Sequence, residues 1–305
     1  MYLNTHTYYS LRYGTISPEN LLEIAQKNGI SSFAITDINT TSACLNILRE
    51  ANSFDIKPIF GIDFRNGINQ LFIAIAKNND GFEEINQYLT PFLINKTVVE
   101  NGIKEIPETA PEFKNAFVIY PYQKAKHYTL RENEFIGISP TDLDYFRIKK
   151  IDSSKTVILQ TVSFKNKKDF NAHRLLRAID KNTLLSKLPA SEQAVPEHKM
   201  LSEDELLELY RDYPQTIANT RMILDSSSIH FDLSDTAPPQ NQKHYTSSAE
   251  EDEKLLLQLC DEGMKYRYPN DTDEIRKRIK KELDTIRKMG FISYFLINWD
   301  IVSYA

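Results

Sequence analysis

Glycine is scarce, with 9 in 305 residues. Neither G-x-x-x-x-G-K-[ST] nor G-x-G-x-x-G occurs, which excludes the common loops that cradle phosphates with bare backbone N–H groups. Cysteine is scarcer: Cys44 and Cys260 are the 2 present and lie far apart. There is no disulfide framework and no C-x-x-C zinc knuckle, and a reducing, cytoplasmic compartment fits. The longest apolar runs, such as Leu71 to Ala76, fall far short of the roughly 20 residues of a membrane helix, so no membrane association is expected. The opening Met1 to His6 has neither a basic nor a long apolar stretch, so no signal peptide is expected. Positive charge is not in excess either. Lys+Arg number 37 against 42 Asp+Glu, a net charge of −5, which excludes a uniformly basic nucleic-acid coat but not a local basic patch.

What is present is a globular composition, 41% hydrophobic and 26% charged, in a chain long enough for about two domains. Strands are expected at Tyr2 to His6, Phe33 to Thr36, Lys57 to Phe64, Gln70 to Ala76, Ala116 to Tyr120, Glu134 to Ser139 and Thr156 to Gln160. Helices are expected between them: one opened by Ser17 and Pro18 and stopped at Gly29, then others near 42–53, 80–93 and 167–180. This alternation predicts an α/β architecture with mainly parallel pairing, and seven strands suit a barrel better than an open sheet. Chemistry then belongs at the C-terminal strand ends, which are His6, Asp37, Asp63, Tyr120, Ser139 and Thr161.

Beyond residue 181 the pattern becomes helical. Ser202 and Glu205 form a capping box, a further helix covers about 213–225, and Ser234 to Gln242 reads as a linker. Ile275, Ile279, Leu283 and Ile286 predict a buried helical stripe. The basic run from Arg276 to Lys288 reads as a solvated face with Glu274–Arg278 and Asp284–Lys288 pairs, or as a phosphate contact. The end, Phe295 to Ala305, is an apolar helix without a capping signal, expected of a piece of a longer protein. Of His6, His127, His173, His198, His230 and His244, His6 alone stands at an expected strand end. With Asp37 and Asp63 it offers a small oxygen-and-nitrogen set for one divalent ion, although Asp37 serves equally well as a helix cap.

These residues resemble a known family. Asn4 to Leu11 is similar to an H-x-H-S-x-x-S-L opening, Phe33 to Asn39 to an A-x-T-D-H-G strand end, and Lys57 to Asp63 to K-P-I-x-G-x-E. Asp169 to Ile179 resembles the helix after an N-D-x-H loop, and Leu209 to Thr220 the helical run that ends the domain. Glu282 to Ile297 is similar to E-L-x-x-I-x-x-M-G-F-x-x-Y-F-L-I. Together they resemble the N-terminal part of the bacterial DNA polymerase III alpha-subunit family: a polymerase and histidinol phosphatase (PHP) domain followed by the start of the palm region. The resemblance implies a PHP-type distorted (β/α)7 barrel over 1–232, a linker over 233–248 and the first, helical palm segment over 249–305.

The departures matter as much. The metal-binding members' ligand positions fall here on Asn4, Tyr13, Ile38, Thr161 and Ser163, leaving His6 and Asp63, with Asp37 weaker, as vestigial metal ligands. The resemblance therefore implies a degenerate PHP domain with a structural and docking role and no catalytic residue among these 305. No cofactor is expected on this chain beyond a residual divalent ion at the PHP site. Magnesium and DNA would belong to the parent DNA-directed DNA polymerase, and the expected partners are other replisome subunits, a proofreading exonuclease among them. The alternative is a metal-dependent phosphoesterase or 3′–5′ exonuclease.

Overall fold

A computed structural model gives the structure of the chain and describes residues 1–94, 105–125, 128–149, 152–234, 237, 244–268 and 272–305. His127 and half of the expected linker lie outside the described residues. The chain divides into two compact units, Met1–Leu233 and Ser234–Ala305.

In the first unit the strands are β1 (Asn4–Thr5), β2 (Ser32–Ile35), β3 (Lys57–Asn66), β4 (Asn69–Ala76), β5 (Ala116–Pro121), β6 (Glu134–Ile138), β7 (Thr156–Ile158) and β8 (Thr161–Val162). The helices are α1 (Pro18–Lys27), α2 (Cys44–Ala51), α3 (Asn79–Ile94), α4 (Tyr122–Ala125), α5 (Leu143–Lys149), α6 (Lys167–Asp180), α7 (Glu203–Leu209) and α8 (Pro214–Ser226). Local chemistry sets many boundaries. Ser17 accepts from the Asn20 N–H ahead of Pro18, and α1 runs out into Gly29 at φ +70°, a left-handed conformation that glycine takes at little cost. Asn166 caps α6 by accepting from Lys168 and Asp169, and the Ser202–Glu205 capping box opens α7.

Six strands form one sheet in the order β2-β3-β4-β5-β6-β7, and β1 pairs with β8. The two sheets join into a ring. Ala34 N–H donates to the Tyr2 carbonyl and Thr36 N–H to that of Thr5, so β1 lies against β2. On the other side β7 and β8 are two halves of one run, the first on β6 and the second on β1. The architecture is the expected α/β barrel. Pairing is mainly parallel, as expected; the antiparallel pairs are β3 with β4, across a tight turn, and β4 with β5. Thr161 and Val162, read as a loop, form a strand because Asn4 and Thr5 supply a partner. The short helices α4 and α5 carry no clear periodic signal and were not foreseen.

Alternation along the strands sorts the core. Leu3, Ala34, Ile59, Ile73, Ile75, Ile119, Val157 and Leu159 fill the barrel interior, while Phe33, Ile35, Phe60, Ile62, Phe72 and Val118 face the surrounding helices. Gly137 sits where a Cβ would come 2.6 Å from Leu159 Cδ2, so the interior has no room there. α8 caps the end at which the strands begin. Its Ile223 and Leu224 enter the interior cluster, and its Thr220 hydroxyl accepts the Ile158 N–H. The opposite end, where β1, β2 and β8 finish, carries the polar cluster.

The second unit contains α9 (Ala249–Arg267), α10 (Asp273–Lys288) and α11 (Ile292–Tyr304). Buried Asp252 accepts from the N–H groups of Tyr245 and Thr246 and the hydroxyls of Thr246 and Ser293, tying the approach to α9 to the start of α11. The stripe on α10 is half-buried rather than buried. Its ion pairs are also shifted: Arg278 bonds Glu282, and Asp284 bonds Arg287. Among the described residues no helix is long and apolar enough to cross a membrane.

Candidate metal centre

The strand ends gather the residues singled out in the sequence. His6 follows β1, Asp37 follows β2, Asp63 lies in the second half of β3, and Thr161 and Ser163 lie in and after β8. His6, Asp37 and Asp63 are almost wholly buried. Neighbouring backbones hold them together: Asp63 N–H donates to the Asp37 carbonyl, and His6 N–H to that of Val162.

Asp63 is the hub. Its Oδ2 receives His6 Nε2 at 3.0 Å, Arg65 Nε at 2.9 Å and Nη2 at 2.7 Å, and Gln70 Nε2 at 2.9 Å, while Oδ1 is buried without a partner. Burial pushes its carboxyl up, but the Arg65 guanidinium and the His6 bond outweigh this and hold it below the ordinary carboxylate range. Arg65 is itself buried. Asp63 raises its already high pKa, so the guanidinium is permanently charged. His6 spends its second ring nitrogen on Ser163 Oγ at 2.8 Å.

Asp37 points elsewhere. Its carboxylate accepts from Thr7 N–H at 2.6 Å, Thr7 Oγ1 at 2.7 Å and Ser10 Oγ at 2.6 Å, which pins the loop after β1. Burial raises its pKa despite these bonds. The structure thus brings His6 and Asp63 together and gives Asp37 to the loop.

The positions assigned by resemblance to lost ligands also have new partners. Asn4 Nδ2 donates to Thr161 Oγ1 at 3.0 Å while its Oδ1 accepts from Thr36 Oγ1, a neutral chain across β8, β1 and β2. Tyr13 packs with Phe164 and Ala194, with Ile38 and Ile68 against them, as an apolar plug. The Tyr13 ring meets His6 edge-on at 5.6 Å, and the Arg65 Cζ lies 4.9 Å from its centroid.

This donor set does not fit a divalent ion. Among the described residues no group of three or more His, Cys, Asp or Glu converges. Both nitrogens of His6 are engaged, Asp37 is spent, and Asp63 Oδ1 is the one unengaged carboxylate oxygen. An ion on that oxygen would share the carboxylate with the Arg65 guanidinium and meet its positive charge at short range. Beside the cluster opens a cavity of about 500 Å³ whose lining includes Tyr13, Arg65, Gln70, Thr161 and His198.

Sequence reasoning missed Arg65, and it set His173 and His198 aside from the site. Arg65 left a signal, because it lies two residues beyond Asp63 on a strand and so on the same face. His173 is buried on α6 between the Tyr13 carbonyl and the Ala194 N–H. His198 offers its carbonyl to the N–H groups of Ser163 and Phe164, and its buried Nδ1 has no partner. Burial lowers its pKa to about 3.

Residues 3–125 match the family described as the PHP domain, within the barrel of the first unit. Residues 254–305 match the family described as the bacterial DNA polymerase III alpha NTPase domain. Along its whole length the chain is similar to DNA polymerase III subunit alpha. It is 24% identical to that of Bacillus subtilis (strain 168), over all of this chain and 30% of the relative. Identity is 25% to that of Buchnera aphidicola subsp. Schizaphis graminum, over 100% of this chain and 30% of the relative. It is 26% to that of Staphylococcus aureus (strain COL), over 100% and 28%. The chain therefore spans less than a third of the length of these curated relatives.

Proposed function

We propose that the chain is the N-terminal part of a bacterial DNA polymerase III alpha subunit, in which 1–232 is a degenerate PHP domain with a structural and docking role. On this reading 233–248 is a linker and 249–305 begins the palm region. The observation that carries the non-catalytic role is the Asp63 carboxylate, whose charge is already met by Arg65. The matches at both ends of the chain support the parent activity, a magnesium-dependent DNA-directed DNA polymerase whose metal-binding carboxylates lie outside these 305 residues. His6 and Asp63 are remnants of a ligand set, and Asp37 now caps a loop. The barrel surface would support the polymerase core in the cytoplasm and receive other replisome subunits, such as a proofreading exonuclease.

The test is primer extension and phosphodiester hydrolysis by the full-length protein. Template-directed incorporation of deoxynucleotides that persists in His6→Ala, with no hydrolysis at the barrel, is the expected result. Hydrolysis in manganese or zinc that disappears in His6→Ala would establish the phosphoesterase alternative instead.

A further inference from the structure

Two devices beyond the ion pair place Arg65. The β3–β4 register shifts between Phe64 and Arg65 by passing over Leu71 of β4, a bulge that sets Gln70 rather than Leu71 opposite Arg65. Asn39, at φ +50°, then clamps the Arg65 backbone from both sides: its Oδ1 accepts the Arg65 N–H at 3.0 Å, and its Nδ2 donates to the Arg65 carbonyl at 2.8 Å. Across the β3–β4 pair, Gln70 stands in register with Arg65 and donates to the same Asp63 oxygen. The planar guanidinium gives that oxygen two N–H groups and turns toward the Tyr13 ring. A carboxylate buried at the end of a barrel strand needs a counter-charge. Here the chain itself supplies it, as the side chain of Arg65.

We propose that Arg65 is the resident cation of this centre: its guanidinium neutralises Asp63, the carboxylate on which His6 after β1 and Gln70 of β4 converge, and so takes the place of a bound divalent ion, making the barrel independent of metal and closed to it. Removing this one charge leaves Asp63, His6 and Gln70 facing an unmet negative charge and makes the site responsive to divalent cations. The inference rests on the degenerate-PHP reading for the location of the centre. Its test measures no polymerisation, so it fails or succeeds separately from the proposed function.

The test uses the whole chain as wild type, Arg65→Lys, Arg65→Gln and Arg65→Gln/Asp63→Asn, stripped with chelator and titrated with Mn²⁺. Thermal unfolding and the loss of the free-ion electron paramagnetic resonance signal are followed. Wild type and Arg65→Lys, which keep the cation, should neither bind Mn²⁺ at the barrel nor change melting temperature. Arg65→Gln should melt lower without metal, bind about one ion, and gain roughly 3–6 °C at a tenfold excess of Mn²⁺ over its dissociation constant. The double variant should lose that response, since the buried charge is gone. Saturable stabilisation of wild type by Mn²⁺ would overturn the proposal. So would an Arg65→Gln protein indifferent to the ion, equal responses from the Lys and Gln variants, or a response retained without the Asp63 charge.

Discussion

His173 sets a pH limit on the first unit. Its ring has no exposed surface; Nδ1 lies 2.7 Å from the Tyr13 carbonyl oxygen and Nε2 2.9 Å from the Ala194 nitrogen. A carbonyl only accepts and an amide N–H only donates, so the ring must carry its proton on Nδ1 and keep Nε2 bare. A second proton would set N–H against N–H. Burial first, and then the charge of Arg177, lower the pKa from 6.5 to about 4. The folded value lies below the unfolded one, so as pH falls the unfolded chain takes up the proton first. The stability held by the neutral ring is complete above about pH 6.5 and drains away toward pH 4. Integrated from pH 7 to pH 5, the loss is about 2 kcal/mol, or roughly 4–8 °C in melting temperature for a unit of this size. His198 falls in parallel, so the readout is the difference between wild type and His173→Gln in thermal unfolding at the two pH values. The variant should be less stable at pH 7, having lost a fitted donor and acceptor, yet decline less between pH 7 and 5 by about that amount. Equal declines in both proteins would refute the locked tautomer.

Two further outcomes test the packing. In Gly137→Ala the new methyl meets Leu159 and Ile119 inside the barrel, and urea unfolding should show a loss of about 1–3 kcal/mol. Adding Leu159→Ala should cost less than its effect alone, whereas additive costs would contradict the crowding. In Asp252→Ala the Tyr245 and Thr246 N–H groups lose their acceptor and should exchange with solvent roughly tenfold faster. Unchanged protection would deny the clip its role.

The sequence by itself determined the local elements and the candidate positions. Ser17–Pro18, Asn166–Lys167 and Ser202–Glu205 fix helix starts because a short polar side chain meets N–H groups only a few residues away. Short apolar runs marked β1 to β7, and counting to the ends of the first three found His6, Asp37 and Asp63. Tertiary structure alone decided what those residues do. β8 exists because Asn4 and Thr5, far away in sequence, pair with it. Asp37 serves the loop at Thr7 and Ser10, while Asp63 is met by Arg65, Gln70 and His6. The physical reason is that a buried charge is settled by whichever donors the closed ring brings within hydrogen-bond distance. That distance depends on register and closure across the whole barrel, which no local pattern contains.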